Sequence, residues 1–416
     1  MDPVEFLILV GICWIFLLFI TENRWIRLKN PEIGLGYALL RTQKFNTALS
    51  KVAGISKRLW SYIFDVGLLV CLGILIAALL MFTINILNYV QIFLINNNIL
   101  PKPVASLPNP VPLVPAIPGI SISFKSLPYF FVAIMIAAAL HELAHGVASI
   151  AENIRVKNTG LLFFFVFFGA FVEPDESEIM NAPARKQMRI YAAGAFVNLI
   201  IVILLLPLLI TPVFTASISG FYNPQPSGAI IVDVCPSNAL VRCPASEVNM
   251  SPGWVITQAE FSNGTIVNIN NYIDFSYFSL STFAGENVSL KVMGHSSPIN
   301  LTTSGVLGNN TIKDRGYIGV QAWDYFAPRF SIFDPLWPYY FYNTVFYTMN
   351  LSLVLALVNL LPFPPLDGDK FISAFVKSKF SEPNAKKAIR WIRISTFIIF
   401  IGNILLSIFI SGITPI

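Results

Sequence analysis

Runs of apolar residues recur along the chain and alternate with polar stretches. A helix of about 20 predominantly apolar residues is long enough to cross the hydrocarbon core of a bilayer. Segments near that length predict about six transmembrane helices, at residues 4–21, 65–87, 129–150, 190–214, 339–361 and 392–413. No small-residue cleavage site follows the first run, so we interpret it as a retained helix rather than a signal peptide. The pattern predicts an α-helical polytopic membrane protein.

A different pattern occupies residues 215–336, between the fourth and fifth predicted helices. Its short alternating segments, broken by Gly, Pro and Asn, predict a β-rich domain that is exposed to water. Asn-x-Ser/Thr triplets, the acceptor sites of glycosylation, begin in this segment at Asn249, Asn263, Asn287, Asn300 and Asn309. The sequence leaves open whether they are glycosylated, and whether Cys235 and Cys243 form a disulfide or remain free thiols.

Basic residues are concentrated in alternate connections between the predicted helices. They follow the first, third and fifth helices, within residues 24–58, 155–189 and 370–393. Because loops rich in Lys and Arg stay in the cytoplasm, we expect both termini and the β-rich domain to be extracytoplasmic, in a cell membrane. The Pro-rich connection at residues 100–118 is then an extended external linker.

The composition agrees with a membrane protein. Only 12% of the residues are charged and 55% are hydrophobic, whereas soluble globular domains have roughly 25% charged residues. This excludes a soluble protein. The net charge of +5 does not indicate a nucleic-acid partner, because the basic residues lie in loops beside apolar runs. The lipid bilayer is the expected surrounding.

Residues 159–172 form a Phe-rich apolar segment that is too short to cross a bilayer comfortably. The segment follows basic residues and precedes Glu173, Asp175 and Glu176. This pattern favours a re-entrant or strand-like element packed against the helices. A segment lying in the membrane interface is the alternative.

The third predicted helix carries His141, Glu142 and His145 in a His-Glu-x-x-His pattern, and the chain has only 3 histidines. Residues four apart share one helix face, so both imidazoles can bind one metal ion while the glutamate reaches a water molecule on it. Ionisable side chains within a membrane helix are costly and indicate a function. The pattern is typical of zinc hydrolases, whose metal usually has three protein ligands.

The third ligand is predicted where the fifth helix ends, in the sequence Asn359-Leu-Leu-Pro-Phe-Pro-Pro-Leu-Asp367-Gly. Prolines cannot continue the helical hydrogen-bond ladder, so the chain unwinds here. Non-helical backbone at membrane depth is tolerated where it is buried or lines a polar cavity, which would present Asp367 to the histidines. Taken alone, the segment could also be an ordinary helix stop with a turn.

The motifs HELAH and NLLPFPPLDG resemble those of the site-2 protease family of intramembrane zinc metalloproteases. Gly194-Ala-Phe-Val-Asn198 is similar to the family's G-x-x-x-N element, and the flanking sequence is closer to the archaeal and eukaryotic branch than to the bacterial one. The resemblance implies transmembrane protein substrates and one Zn²⁺ per chain. It implies that His141, His145 and Asp367 are the three zinc ligands and that Glu142 is the general base. Asn198 and Asn359 would stabilise the oxyanion or position the substrate.

The apolar runs and the resemblance together predict a domain organisation, in which the resemblance covers helices three to five and the domain between them. Residues 1–127 would contain two transmembrane helices and the linker, and residues 128–214 the catalytic helices three and four with the re-entrant segment. Residues 215–336 are similar in strand order to a PDZ domain, which the family carries outside the cytoplasm, and residues 337–416 would contain helices five and six. Because the HELAH motif lies in the second half of its helix, the active site is expected toward the cytoplasmic side.

Two other functions fit parts of this pattern. A CAAX-type multi-pass metallopeptidase would take its third ligand from a glutamate on a later helix, but the acidic residues after HELAH fall in loops or in the external domain. A zinc transporter or a non-catalytic scaffold would bind metal or membrane proteins without hydrolysing them. The oligomeric state and the identity of the substrates are not predicted by the sequence.

Overall fold

The structure is a computed structural model that describes residues 32–34, 37–42, 44–97, 110–164, 167–235, 242–308 and 311–412, with isolated positions before residue 20. Most of the first predicted transmembrane helix, the first part of the Pro-rich linker and Asn309 lie outside the described residues. The chain divides into two compact units, one formed by Met1–Leu205 and Phe346–Ile416 and the other by Leu206–Val345.

The elements of the first unit begin, in chain order, with strands β1 (Glu32–Gly34) and β2 (Tyr37–Thr42) and helices α1 (Lys44–Gly54), α2 (Lys57–Asn96) and α3 (Leu127–Ala151). Strands β3 (Val156–Phe164) and β4 (Phe167–Pro174) and helices α4 (Glu176–Asn181) and α5 (Ala184–Leu205) follow. The second unit contains a 3-10 turn (Leu206–Leu209), α6 (Thr211–Ile218), β5 (Ala229–Val234), α7 (Pro244–Glu247), β6 (Val255–Glu260), β7 (Ile266–Asn268) and α8 (Tyr272–Leu280). It continues with β8 (Asn287–Val292), β9 (Ile299–Thr302), β10 (Ser304–Gly308), β11 (Thr311–Tyr317) and β12 (Val320–Asp324). Helix α9 (Trp337–Asn359) begins in the second unit and ends in the first, where α10 (Asp367–Lys379) and α11 (Glu382–Ser411) complete the chain.

Five helices among the described residues are long and apolar enough to cross a membrane, namely α2, α3, α5 with the 3-10 turn after it, α9 and α11. They correspond to the second through sixth helices predicted from the apolar runs. The chain is therefore a polytopic membrane protein, as the sequence indicated.

Three of these helices differ clearly in extent from the prediction, the first being α2, which spans Lys57–Asn96 and not only residues 65–87. The predicted helix at residues 190–214 is interrupted, because α5 ends at Leu205 and α6 starts only at Thr211. Pro207 lies in the intervening turn and has no amide hydrogen for the helical ladder. Helix α11 begins earlier than its apolar run, at Glu382, because its first turns carry charged residues that an apolar pattern does not include.

The described residues of the Phe-rich segment form paired strands. Strands β3 and β4 are antiparallel, with Thr159 opposite Val172, which agrees with the strand-like interpretation. On its other side β3 pairs with β2, where Thr42 lies opposite Thr159. Within the described residues β4 is an edge strand of a four-stranded sheet in the order β1-β2-β3-β4. Strands β1 and β2 were not predicted from the sequence.

The helices of the first unit meet through small side chains. Ala148 on α3 and Ala192, Ala193 and Ala195 on α5 are each at most 1% exposed. Small residues let helix backbones approach closely, which favours helix association in lipid, where little hydrophobic driving force remains. Helix α2 joins them at Cys71, whose Sγ lies 3.5 Å from the Ala192 carbonyl oxygen. This close approach of α3 and α5 positions the site described below.

The second unit is rich in β-structure. In the part of it that the structure describes, a six-stranded antiparallel sheet runs in the order β12-β5-β6-β8-β9, with β7 paired to β6, and β10 pairs with β11 separately. Its core side chains come from the central strands and from α8, and include Ile231, Ile256, Leu290, Phe275 and Phe278. Cys235 and Cys243 form a disulfide, which is one of the two alternatives that the sequence allowed.

Candidate metal centre

Helix α3 places its two histidines on one face, one turn apart. His141 and His145 are 4% and 8% exposed. Asp367, the first residue of α10, approaches the same face. Nε2 of His141, Nε2 of His145 and Oδ2 of Asp367 lie 3.1 Å from one another in all three pairs. Three potential ligand atoms, which the sequence predicted together, therefore converge on one point.

The spacing of these atoms fits a tetrahedral zinc centre. Zinc bonds to nitrogen and oxygen of about 2.0–2.1 Å place tetrahedral ligand atoms about 3.3 Å apart, close to the observed 3.1 Å. Imidazole nitrogens with one carboxylate oxygen are also a donor set of catalytic zinc sites that keep a fourth position for water. Among the described residues, these three side chains form the cluster of ligand atoms close enough to hold a metal ion.

Helix α5 crosses the ligands at Gly194. A Cβ atom at this position would lie 2.5 Å from Nε2 of both His141 and His145, closer than non-bonded atoms approach each other in a packed interior. Any side chain here would displace the imidazoles or fill the space for the metal ion. This contact explains the glycine of the G-x-x-x-N element.

The backbone of α5 also orients His145. Nδ1 of this histidine lies 2.7 Å from the carbonyl oxygen of Ile190. Because a carbonyl only accepts hydrogen bonds, Nδ1 carries the proton and donates it. The neutral ring then presents its lone pair at Nε2, toward Asp367. Metal-binding histidines almost always make such a contact through their second nitrogen.

Asn198 lies behind His141 and is fully buried. Its Nδ2 is 3.1 Å from Nδ1 of the imidazole, while its Oδ1 is buried with no hydrogen-bond partner in the described part of the chain. A half-turn of the amide exchanges the two atoms and pairs the orphaned oxygen with a protonated Nδ1. Nε2 of His141 is then free as a ligand. This placement favours a role in orienting His141. The contact with a substrate oxyanion expected from the sequence stays a prediction.

Glu142 is half-buried between α3 and the edge strand β4. Its Oε2 accepts a hydrogen bond of 3.2 Å from the backbone N–H of Val172. Glu142 adjoins His141 in the sequence, yet its carboxylate is not one of the three converging groups. The backbone of β4 therefore holds one oxygen of this carboxylate, next in sequence to the first histidine.

The site has two arms, of which the histidines on α3 form the first. The junction between α9 and α10 forms the second. Asn359 is the last residue of α9, and its Nδ2 lies 3.4 Å from Nε2 of His141. The helix ends there, as the prolines predicted, and α10 begins at Asp367. A side chain at Gly368 would collide with the backbone of Leu360, so the glycine allows the intervening loop to close. The closed loop brings Asp367 to the histidines.

An ion-pair cluster joins three helices next to the centre. Arg189 on α5 donates to both carboxylate oxygens of Asp65 on α2, at 2.5 and 2.8 Å, and to Glu152 after α3, at 2.6 Å. Glu152 is only 4% exposed, and a buried carboxylate is costly without such a partner. Arg189 directly precedes Ile190, so the cluster fixes the backbone that orients His145. The sequence indicated only that Asp65 stands at the end of an apolar run.

A second buried ion pair holds α10 against α11. Arg393 donates to both carboxylate oxygens of Asp369, at 2.6 and 2.8 Å, and Asp369 is 8% exposed. Asp369 lies two positions after Asp367, so this pair anchors the helix that carries the carboxylate ligand. It was not predicted from the sequence either, because the two partners belong to different helices.

The chain is similar to known proteins over a range that contains the candidate metal centre. A sequence profile of Peptidase family M50 matches residues 129–402. An uncharacterised protein of Methanocaldococcus jannaschii is 28% identical over 380 residues, which cover 90% of this chain and 86% of the relative. A protein of Arabidopsis thaliana called membrane-bound transcription factor site-2 protease homolog is 24% identical over 145 residues, which cover 33% of this chain and 28% of that protein. The profile match includes each of the six residues predicted for the site.

Proposed function

Because this chain belongs to peptidase family M50, we propose that it is an intramembrane zinc metalloprotease that hydrolyses peptide bonds within or near transmembrane segments of other membrane proteins. Membership confirms the resemblance to the site-2 proteases drawn from the motifs. At family level the chain is a membrane metallopeptidase; its intramembrane substrates and a role in regulated intramembrane proteolysis belong to the proposal. The convergence of two histidines and one aspartate at 3.1 Å is the observation that carries it.

His141, His145 and Asp367 would hold one zinc ion per chain. A zinc ion in such a site polarises a carbonyl group and lowers the pKa of water. The chain keeps both imidazoles in the required tautomer through Ile190 and Asn198, which contact the two Nδ1 atoms. The ligand geometry is thus prepared by the packing of α5 against α3.

Glu142 would act as the general base and then as the general acid. Its carboxylate takes a proton from the attacking water molecule and returns it to the nitrogen of the leaving amine. The Val172 amide holds Oε2, which leaves the other carboxylate oxygen for this transfer. Asn359, with its Nδ2 beside the ligands, is the better placed of the two asparagines to donate to a developing oxyanion.

The edge position of β4 in the described part of the sheet supports binding of the substrate in an extended form. A helical substrate hides its peptide bonds in internal hydrogen bonds, so it must unwind before hydrolysis. An edge strand offers unpaired amides and carbonyls to an added strand, and the Val172 amide of β4 already points at Glu142. An unwound segment paired with β4 would therefore lie beside the proposed general base.

We also propose a domain organisation and an orientation in the membrane. Residues 1–127 would supply two N-terminal helices, and residues 128–214 the catalytic helices three and four with the re-entrant segment. Residues 337–416 would supply the catalytic helix five with the proline loop, followed by helix six. The β-rich residues 215–336 would be a PDZ-like extracytoplasmic domain that selects substrates. The distribution of basic residues supports extracytoplasmic termini in a cell membrane and an active site toward the cytoplasm.

Replacing only the proposed general base, Glu142, should abolish cleavage without a loss of zinc. In Glu142→Gln, zinc should remain at one per chain by elemental analysis, because no ligand is removed. Cleavage of a transmembrane peptide in proteoliposomes should fall by about 100-fold or more, the scale of general acid–base catalysis. Glu247→Gln, a matched change at an exposed glutamate of the second unit, should retain both. Cleavage by Glu142→Gln near the wild-type rate would contradict the proposal, as would a chelator-insensitive reaction.

A further inference from the structure

Two adjacent cavities lie along the first turns of α11, outside the metal centre. One, of about 500 Å³, is lined by Lys386, Lys387, Arg390, Trp391 and Ile394. The other, of about 260 Å³, is lined by Phe363, Pro364, Arg393, Ile394, Phe397 and Ile398. Because Ile394 lines both, a single ligand can occupy them together. We call the larger one the basic cavity, the smaller one the apolar cavity, and the two together the lipid groove. We propose that the lipid groove binds one anionic phospholipid, with its phosphate in the basic cavity and an acyl chain in the apolar cavity.

The basic cavity has the charge that a phosphodiester requires. Lys387 and Arg390 are exposed and form no ion pair with any residue in the described part of the chain. Lys386 pairs with Glu382, but both side chains are more than 70% exposed, where such a pair contributes little. Arginine can bind two phosphate oxygens at once and lysine supplies a compact charge. A zwitterionic headgroup would leave much of this positive charge uncompensated.

The residues around the basic cavity have the composition that is typical of a membrane interface. The apolar run of α11 starts at Ile392, directly after the basic turns. Trp391 is 63% exposed, and exposed tryptophans are enriched where headgroups meet hydrocarbon. The basic residues of this connection are those that the charge pattern assigns to the cytoplasm, where leaflets are rich in anionic lipids.

The apolar cavity distinguishes a lipid from a soluble phosphate. Phe397 and Ile398 are 50% and 63% exposed on the outer face of α11. The ring of Phe397 packs against Phe363 at 5.7 Å between centroids, and this pair forms one wall of the groove. An acyl chain would cover these side chains, whereas a free phosphate or glycerol phosphate has no group for this part of the site.

The groove also adjoins the loop of the metal centre. Phe363 and Pro364 belong to the loop that leads from α9 to Asp367, and Arg393 at the groove anchors Asp369. A bound acyl chain would therefore contact the loop that delivers the carboxylate ligand. Lipid binding itself does not depend on proteolysis, so its test is independent of the proposed function.

Native mass spectrometry of the full chain in detergent tests the proposal directly. Phosphatidylglycerol should bind more tightly than phosphatidylcholine with the same acyl chains, because only the former carries a net negative charge. The double substitution Lys387→Gln and Arg390→Gln should weaken phosphatidylglycerol binding by about 30-fold, the effect of two basic residues near an anionic headgroup. Binding of phosphatidylcholine should stay the same.

The control removes two charges elsewhere on the same unit. Lys51 and Arg58 are exposed basic residues, and replacing both with Gln should leave phosphatidylglycerol binding within about twofold, because neither lies at the groove. Equal binding of the two lipids, or an equal loss in both double variants, would overturn the proposal.

Two further experiments distinguish a lipid site from a site for a soluble anion. Ile394→Trp fills the junction of the cavities without changing the charge, and it should weaken phosphatidylglycerol binding. Glycerol phosphate at the same concentration should not displace the lipid. Unchanged binding in Ile394→Trp would remove the acyl-chain site, and displacement by glycerol phosphate would identify a soluble phosphate site instead. Monodisperse elution of each variant verifies that it is folded.

Discussion

The two arms of the metal centre are built in different ways. The histidine arm lies within the regular helix α3, where the side chains of His141 and His145 are 5% and 10% exposed. The aspartate arm begins at the end of a loop, and the side chain of Asp367 is 23% exposed. The first arm is held by the packing of α5, and the second by the closure of the proline loop and by Arg393. Disturbing α5 should therefore remove both imidazoles, whereas disturbing the loop should remove one ligand.

The largest effect is expected for Gly194→Ala. The added Cβ would lie 2.5 Å from Nε2 of both histidines, so we expect zinc binding to weaken by more than about 100-fold, beyond the cost of losing one supporting contact. Zinc titration of the purified chain measures this change. Gly73→Ala on α2 is the matched control, because no atom lies within 4 Å of its added Cβ. Equal zinc affinities in the two variants would contradict the described packing.

The aspartate arm is tested by Asp367→Asn. The amide has nearly the shape of the carboxylate but no charge, so we expect zinc affinity to fall by about 100-fold, the upper end for a supporting residue. The histidines should keep a weak site. Unchanged zinc stoichiometry and affinity in this variant would exclude Asp367 as the third ligand.

A smaller effect is expected for Asn198, which supports one ring of the histidine arm. Asn198→Ala should weaken zinc binding by about 10–100-fold. Asn198→Asp keeps an acceptor for Nδ1 of His141 and should restore most of the affinity. If Asn198 instead donated to the oxyanion, both variants would bind zinc normally and lose cleavage.

The smallest effect is expected for the two arginines that bind Asp65, Arg185 and Arg189. Arg189 is half-buried and also holds Glu152, whereas the Arg185 side chain is 67% exposed. Arg189→Ala should weaken zinc binding by about tenfold through the backbone that orients His145. Arg185→Ala should change it by less than about twofold, because exposed pairs contribute little. Zinc titration of both variants decides this, and equal losses would refute the positioning role of Arg189.

The contrast between the arms also explains what the sequence could predict. The histidine arm is local, because spacing of four residues on a helix determines a shared face. Five apolar helices follow from run length, for the same local reason. Asp367 was predicted only because prolines interrupt the fifth helix and the motif resembles a known family. Its actual approach depends on Gly368 closing against Leu360, a contact across the loop.

Other interactions between distant segments were not predicted. Thr42 pairs with Thr159 across the sheet, and Asp65 pairs with Arg189 across two helices. Neither partner changes the local hydrophobic pattern around the other, so periodicity carries no signal for them. The contact of Asn198 with Nδ1 of His141 was not predicted either, because motif order does not reveal which nitrogen of His141 an amide reaches.

X-ray absorption at the zinc edge, on the purified zinc-loaded chain, tests the central claim most directly. The arrangement of His141, His145 and Asp367 predicts one zinc per chain with only nitrogen and oxygen ligands at about 2.0–2.1 Å. Imidazole scattering should correspond to two histidines, and the carboxylate contribution should disappear in Asp367→Asn. A sulfur ligand at about 2.3 Å, or a chain that retains no zinc, would contradict the account.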